Sequence, residues 1–350
     1  MLPGRQHQQL EGKPNMATTL LSNVIEPKLF TAYARQQTTI KSALLSSGVL
    51  FQSGELDARA GEGGTVFEAP HFNPFTYSEA NVATDDITVK SVPAGVVAGS
   101  QVGRKDYREK DWSAATLTST ISGADVTGYI ADIVSTYWVQ DYQALTLAKL
   151  KGIELDNAAN DSGDMIVNVA TDATGSPTAL QSVNIGTILD TIQTMGDSMD
   201  KLGVVIMHSQ IFTNLMKLEP GSFQAPSATV PFTTYYGKRV IIDDGVPVAQ
   251  GTNRKTFTTY ILGQGAFGFG EASAPNATEV WRDPSAGNGW GEERLYSRKQ
   301  LVMHPVGFSV TAAPTAPAKS LTLAQYGAAG AFDRKFDRKN VAIAILKTNA

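Results

Sequence analysis

Residues 125–156 read DVTGYIADIVSTYWVQDYQALTLAKLKGIELD, and they carry the clearest helical period in the chain. Asp125 is a good N-cap for a helix starting at Val126. Ile130, Ile133, Val134, Tyr137, Trp138, Ala144, Leu145, Ala148 and Leu155 recur near three- and four-residue spacing, as an apolar helix face requires. A helix of about thirty residues spans ~45 Å at 1.5 Å per residue. Gly152 is a tolerable interruption, and Asn157 to Asp164 (NAANDSGD) reads as the loop that ends the helix.

Upstream the character changes. Glycines cluster at Gly61, Gly63 and Gly64, and strand-like alternation follows in Thr65 to Ala69 and again in Ile87 to Val92. Between the two lies an aromatic, proline-punctuated tip with Pro70, Phe72, Pro74, Phe75 and Tyr77. A two-stranded excursion of this length has no core of its own and must lie on a partner surface. Phe67, Phe72, Phe75 and Tyr77 are therefore candidate interface residues, since aromatics concentrate at interface centres; burial in the chain's own core is the plainer alternative. The run 101–112, QVGRKDYREKDW, is dense in both charge signs and reads first as a solvated face and second as an interface ladder. On the second reading Arg104 and Arg108 join the candidate interface. Nearer the N-terminus, Pro27 favours the first turn of a short helix over Lys28 to Gln37, an arm that leans on something larger.

Downstream the pattern is α/β. A helix is expected over Leu180 to Met199 and a buried strand over Leu202 to Met207, then a helix over Gln210 to Leu218 capped by Ser209. Strands are expected at Arg239–Ile242, Thr256–Leu262 and Thr278–Trp281, with a further pair around Arg294–His304 and Phe308–Thr311. After a Pro/Ala hinge (313–319) comes a direct repeat, Phe332-Asp-Arg-Lys then Phe336-Asp-Arg-Lys, and a strand-like Val341–Leu346.

Composition narrows the function classes. The 350 residues are 42% hydrophobic and 18% charged, with a mean hydropathy of −0.12, which is enough apolar material for a core. A formal charge of −4, with 29 basic residues spread among 33 acidic ones, lacks the basic face of a sequence-reading nucleic-acid binder. There is no cysteine, so disulfides, thiolate catalysis and thiolate metal sites are excluded. No apolar run approaches the ~20 residues of a membrane span. Residues 1–15 lack the apolar core of a secretory signal, and Met16 offers a second start, so they read as a translated leader or as an artificial addition upstream of it.

The local motifs fail as chemistry. Gly263 to Gly268 (GQGAFG) matches a dinucleotide fingerprint in letters, but turn sequence follows where a helix should open, so glycines for a tight bend explain it better. Gly196-Asp197-Ser198 resembles an esterase signature without a histidine–carboxylate partner, and a helix C-terminus is the better reading. His7, His71, His208 and His304 are too dispersed for helical zinc spacing, and 156–164 lacks the glycine and glutamate of a calcium loop. No catalytic, cofactor or metal residue is assigned.

In order, these features resemble the major capsid proteins of tailed bacteriophages, whose fold is shared with encapsulin shells and the herpesvirus capsid floor. The resemblance runs over about 20–311. It rests on the arm, the hairpin (about 56–110) and the long helix with Tyr137-Trp138. Further along it rests on Val204 to Ser209 leading into Phe212 to Leu215, on Tyr236 to Asp244, on Tyr260 to Gly263 and on Trp290 to Val310. It implies an α+β fold with an N-terminal arm (1–50), an extended hairpin loop (51–112) and a peripheral domain with a spine helix (113–175). An α/β axial domain (176–275), return strands (276–312) and a C-terminal extension (313–350) complete it. It also implies a non-enzymatic subunit without cofactor that forms hexamers and pentamers around double-stranded DNA, assembled in the host cytoplasm. Scaffolding, portal and decoration proteins would be its partners. An encapsulin-like cargo shell is the alternative on the same fold, and a two-domain hydrolase or oxidoreductase the alternative from another class.

Overall fold

The computed structural model describes Leu44 and residues 47–350, apart from 76, 92, 94, 123–125, 225 and 227–232. The expected arm helix and the N-cap Asp125 lie outside the described residues. The chain forms two units. Among the described residues, one comprises those of Glu109–Thr136 and Pro275–Arg298, and the other those of Thr39–Arg108, Tyr137–Ala274 and Lys299–Ala350.

In the smaller unit, Thr278–Asp283 pairs antiparallel with the start of Glu292–Pro305, in register from Thr278 opposite Ser297 to Asp283 opposite Glu292. The turn between them passes through Gly287 and Asn288 at φ of 60° and 55°, a conformation that suits these two residue types. Arg298 pairs with Glu279 at 2.9 Å, and the Arg294 guanidinium lies over the Trp281 ring.

The larger unit is organised by the helix Val126–Asn160, from Tyr137 onward. Of the residues picked out by spacing, Trp138 and Leu145 are buried and Tyr137, Ala144, Ala148 and Leu155 half-buried; Tyr142, Leu150 and Ile153 are buried as well. The helix continues four residues past Asp156 into the stretch read as loop. Asn157 is fully buried there, its side chain donating to Asp164 Oδ1 (2.7 Å) and accepting from Met165 N (3.1 Å). Those bonds hold an Asn-rich end helical against its usual preference for turns.

An eight-stranded sheet runs in the order Ile166–Asn168, Ile343–Thr348, Lys255–Gly263, Leu202–Met207, Lys238–Ile242, Thr234–Tyr235 and Phe223–Gln224. Val248–Gln250 adds to Lys255–Gly263. One face carries Val205, Met207, Phe257, Ile261, Ala344 and Leu346 against Ile188, Ile192, Ile211 and Leu215 of two helices. Those helices are Ile185–Gln193 and Ser209–Leu218. On the other face, the Tyr260 hydroxyl donates to Glu154 of the long helix at 3.0 Å. The helix expected over Leu180–Met199 is shorter because Asn184 and Thr187 form a reciprocal capping box that starts it at Ile185. The next cap is His208, not Ser209: the ring Nδ1 accepts from Gln210 N at 3.1 Å.

The C-terminal stretch belongs to this core. Ile343–Thr348 lies between two other strands, antiparallel to Lys255–Gly263 and parallel to Ile166–Asn168. Phe308–Val310 pairs with Phe332–Arg334 of the repeat, not with the long return strand as expected, because that strand finds its partners in Phe267–Ala272 and Thr278–Asp283. The glycine-rich GQGAFGFG serves packing. A Cβ at Gly270 would lie 2.3 Å from the Leu56 backbone carbonyl carbon, so the bare strand lets the helix Gly54–Gly61 approach it.

The second sheet has the order Leu50–Gln52, Phe267–Ala272, Glu292–Pro305, Ala98–Ala115 and Val66–Phe72, with Thr278–Asp283 also on the return strand. The charged run is part of its long strand: Glu109, Lys110 and Asp111 are exposed, as a solvated strand face requires, while Lys105 and Asp106 are buried and matched inside the chain. Lys149 of the long helix donates to Asp106 Oδ2 at 3.0 Å and to Met303 O at 2.6 Å. Tyr326 OH donates to Asp106 Oδ1 at 2.8 Å, and the Lys149 ammonium lies 4.2 Å from the Tyr326 ring centroid. Lys149 and Asp106 are both sealed from solvent.

Lys149→Met strands the Asp106 carboxylate in the interior, and its expected cost is about 3–5 kcal/mol in chemical denaturation. Lys149→Met with Asp106→Leu is expected to recover most of that loss. Gly152→Ala, ordinarily a gain within a helix, is expected to destabilise by about 1–3 kcal/mol, because the added Cβ would stand 2.0 Å from Tyr326 O.

Candidate functional site

The hairpin that leaves the second sheet divides into a root and a tip. In the root, Val66–Phe72 pairs with Ala98–Arg104, from Val66 opposite Arg104 to Phe72 opposite Ala98. Asn73 N donates to Val97 O and Lys105 N to Thr65 O, which places odd-numbered residues of the first strand on the ladder. Pro70 then falls on the open edge, where its missing N–H costs nothing and obstructs further strand pairing. The two strands expected over Thr65–Ala69 and Ile87–Val92 are thus partly displaced: the second begins at Ala98, and the described part of 77–97 has no strand.

The root is pinned on every side. Phe67 is 7% exposed, and its ring covers Gly103 so closely that a Cβ there would lie 2.1 Å away. It meets His304 edge-on, with centroids 5.8 Å apart. Lys105 Nζ donates to Glu62 O at 2.6 Å and Tyr107 OH to Gly64 O at 2.7 Å. Gln300 of the return strand donates to Ala60 O. His71 meets Phe336 of the repeat edge-on at 4.8 Å.

The tip has no such anchoring. Phe72 is 78% exposed, Phe75 67%, Tyr77 90% and Ile87 86%, and Val82, Val89, Val96 and Val97 are exposed with them. Among the described residues its side-chain polar bonds are local: Thr88 and Asp86 close a small turn, with the Asp86 carboxyl held below its usual range by the Thr88 hydroxyl and amide, and Lys90 donates to Ile87 O. Eight large apolar side chains in some 25 residues form a patch of the kind that marks an interaction surface.

The sequence candidates separate accordingly. Phe67 is corrected to the chain's own core, where Gly103 and His304 occupy the space a neighbour would need. Phe72, Phe75 and Tyr77 share the open tip. Arg108 bonds Asp141 of the long helix at 2.9 Å, an attraction that opposes the upward push of burial on that carboxyl. Arg104 is half-buried, with its Nε out of contact with any acceptor. Ile87 and Val89 fall in the stretch whose alternation reads as an ordinary strand, and Val82, Val96 and Val97 carry no local pattern that marks them as interface. Among the described residues, no group of three or more His, Asp or Glu side chains is placed to hold a metal ion. None of the described helices is long and apolar enough to cross a membrane.

One relative is decisive: the major capsid protein of Bacillus phage SPP1 is 32% identical over 303 residues, covering 85% of this chain and 88% of that protein. The chain belongs to the phage major capsid proteins. Solved capsids share the fold at much lower identity. The capsid of Ralstonia phage GP4 superposes with a TM-score of 0.60 at 10% identity, over 95% of this chain and 98% of its own. The cyanophage Pam1 capsid gives 0.61 at 10%, over 96% and 99%. The capsid of a native GTA particle gives 0.54 at 14%, over 93% and 96%. No model of a known protein family matches the chain.

In this major capsid protein, Tyr77→Ser and Phe75→Ser are expected to leave the denaturation midpoint of the unassembled subunit within ~0.5 kcal/mol of wild type, as solvent-exposed positions do. Phe67→Ala is expected to cost about 3–5 kcal/mol in the same measurement.

Proposed function

We propose that the chain builds an icosahedral phage head by forming hexamers and pentamers, and that its hairpin tip is laid across a neighbouring copy. The exposed apolar tip carries this reading. A segment with so much unburied apolar surface gains most of its stabilisation outside its own subunit, at roughly 25 cal/mol per Å² removed from water. Shell closure makes each subunit multivalent, so modest contacts suffice collectively.

In this reading the helix Val126–Asn160 is the spine, the sheet around Lys255–Gly263 belongs to the axial domain, and the hairpin is the extended loop of the family. Arg104 and Arg108 lie at the loop's root and act on its placement rather than as contacts of its tip. The role is structural rather than enzymatic. The interior holds double-stranded DNA without sequence preference, and a net charge of −4 suits a container that does not grip its phosphates. Scaffolding and portal proteins would direct assembly in the host cytoplasm, and a decoration protein could add to the finished head.

The test is negative-stain microscopy under conditions in which the full chain closes shells. Replacing 73–97 by a short turn is expected to leave a folded, soluble subunit that does not close. Normal particles from that variant would remove the hairpin from assembly.

A further inference from the structure

We propose that His304 is a protonation latch on the hairpin root: its neutral ring holds both hairpin strands against the return strand, and its charged ring releases them. The ring projects from Glu292–Pro305 into the root and touches each hairpin strand once. It meets Phe67 edge-on at 5.8 Å, and its Nε2 lies 3.3 Å from Gln101 Oε1. That oxygen also accepts from Gly307 N at 3.0 Å, so it is an acceptor, and Nε2 must carry the hydrogen. Nδ1 is then the bare nitrogen of a neutral imidazole. It is buried without a partner.

A proton on Nδ1 would have no acceptor and no compensating charge. The nearest charge from the long helix is the Lys149 ammonium, which repels an imidazolium and is already engaged by Asp106 and Met303 O. From the hairpin strand come Arg104, Lys105 and Asp106. The Lys105 ammonium is turned to Glu62 O and Gly63 O, and both carboxylate oxygens of Asp106 are occupied, by Lys149 and by Tyr326 from the C-terminal stretch. From the first hairpin strand comes the uncharged ring of Phe67. Burial, and secondarily Lys149, hold the docked imidazole at about 4 against an ordinary 6.5. Above 6.5 both docked and released rings are neutral and pH has no effect. Between 6.5 and about 4 the released ring takes up a proton that the docked ring refuses, so docking weakens as pH falls; below about 4 the effect levels off.

The experiment is hydrogen exchange by mass spectrometry on the full-length chain, corrected for intrinsic exchange rates, from pH 7 to pH 4. Peptides from 66–72 and 98–105 are expected to lose protection by about 100-fold over this range, while those from 343–348 keep theirs. H304Q, which retains a neutral donor, is expected to abolish that dependence. The same pH profile in H304Q as in wild type would overturn the latch. Should H304Q not fold, titration of isotope-labelled His304 in the wild-type chain decides: a midpoint below about 5.5 agrees with the latch, and one at or above that value overturns it.

Discussion

Lys149 holds its ammonium group inside the protein, shared between Asp106 of the hairpin strand and the Met303 carbonyl of the return strand, and covered by the Tyr326 ring. Burial alone would drive a lysine toward its neutral form, and Asp106 opposes that tendency. Four segments far apart in sequence converge on this one charge: the long helix, the hairpin strand, the return strand and the C-terminal stretch. A buried ion pair adds little net stability compared with an apolar replacement, but one left half-made is very costly. It therefore specifies this arrangement of segments over others that would leave either charge bare.

Around that pair the chain shows a graded investment. The helix is buried on nearly all sides from Tyr142 to Asn157. The hairpin root is held by backbone pairing, by Phe67 and by the polar clasps of Lys105 and Tyr107. Beyond Phe72 the anchoring stops while the apolar side chains continue. A rigid root with an unpartnered apolar tip suits a subunit that must fold alone and then be completed by copies of itself. The FDRK repeat ties two places together: Phe332 packs against Gly152 of the long helix and Tyr326, and Phe336 against His71 of the hairpin root. Arg334 pairs with Asp164 at 2.8 Å and Lys339 with Asp197 at 2.9 Å.

Much of this was legible in the sequence where local signals and tertiary demands agree. The long helix followed from its period, and Leu202–Met207 from an uninterrupted apolar run. The resemblance to phage capsid proteins, drawn from the order of elements, agrees with the SPP1 relative. What escaped reading depends on distant partners. The run 101–112 looked solvated because nothing local announces that Asp106 will meet Lys149 and Tyr326. Ile343–Thr348 was recognisable as a strand, but its place inside a sheet depends on Ile166 and Tyr260, 179 and 85 positions from Ile345. Phe67 and Phe75 are the same residue type in the same hairpin. Their opposite fates turn on Gly103, whose missing side chain makes room for one of them.

In the proposed assembly the tip completes its burial on a neighbouring copy. The most direct measurement is a cryo-electron microscopy structure of the closed particle at a resolution that shows side chains. Phe72, Phe75 and Tyr77 are expected to pack against a second copy while Phe67, Lys149 and Asp106 keep their intrachain partners. A closed shell in which those three rings still face solvent would contradict it.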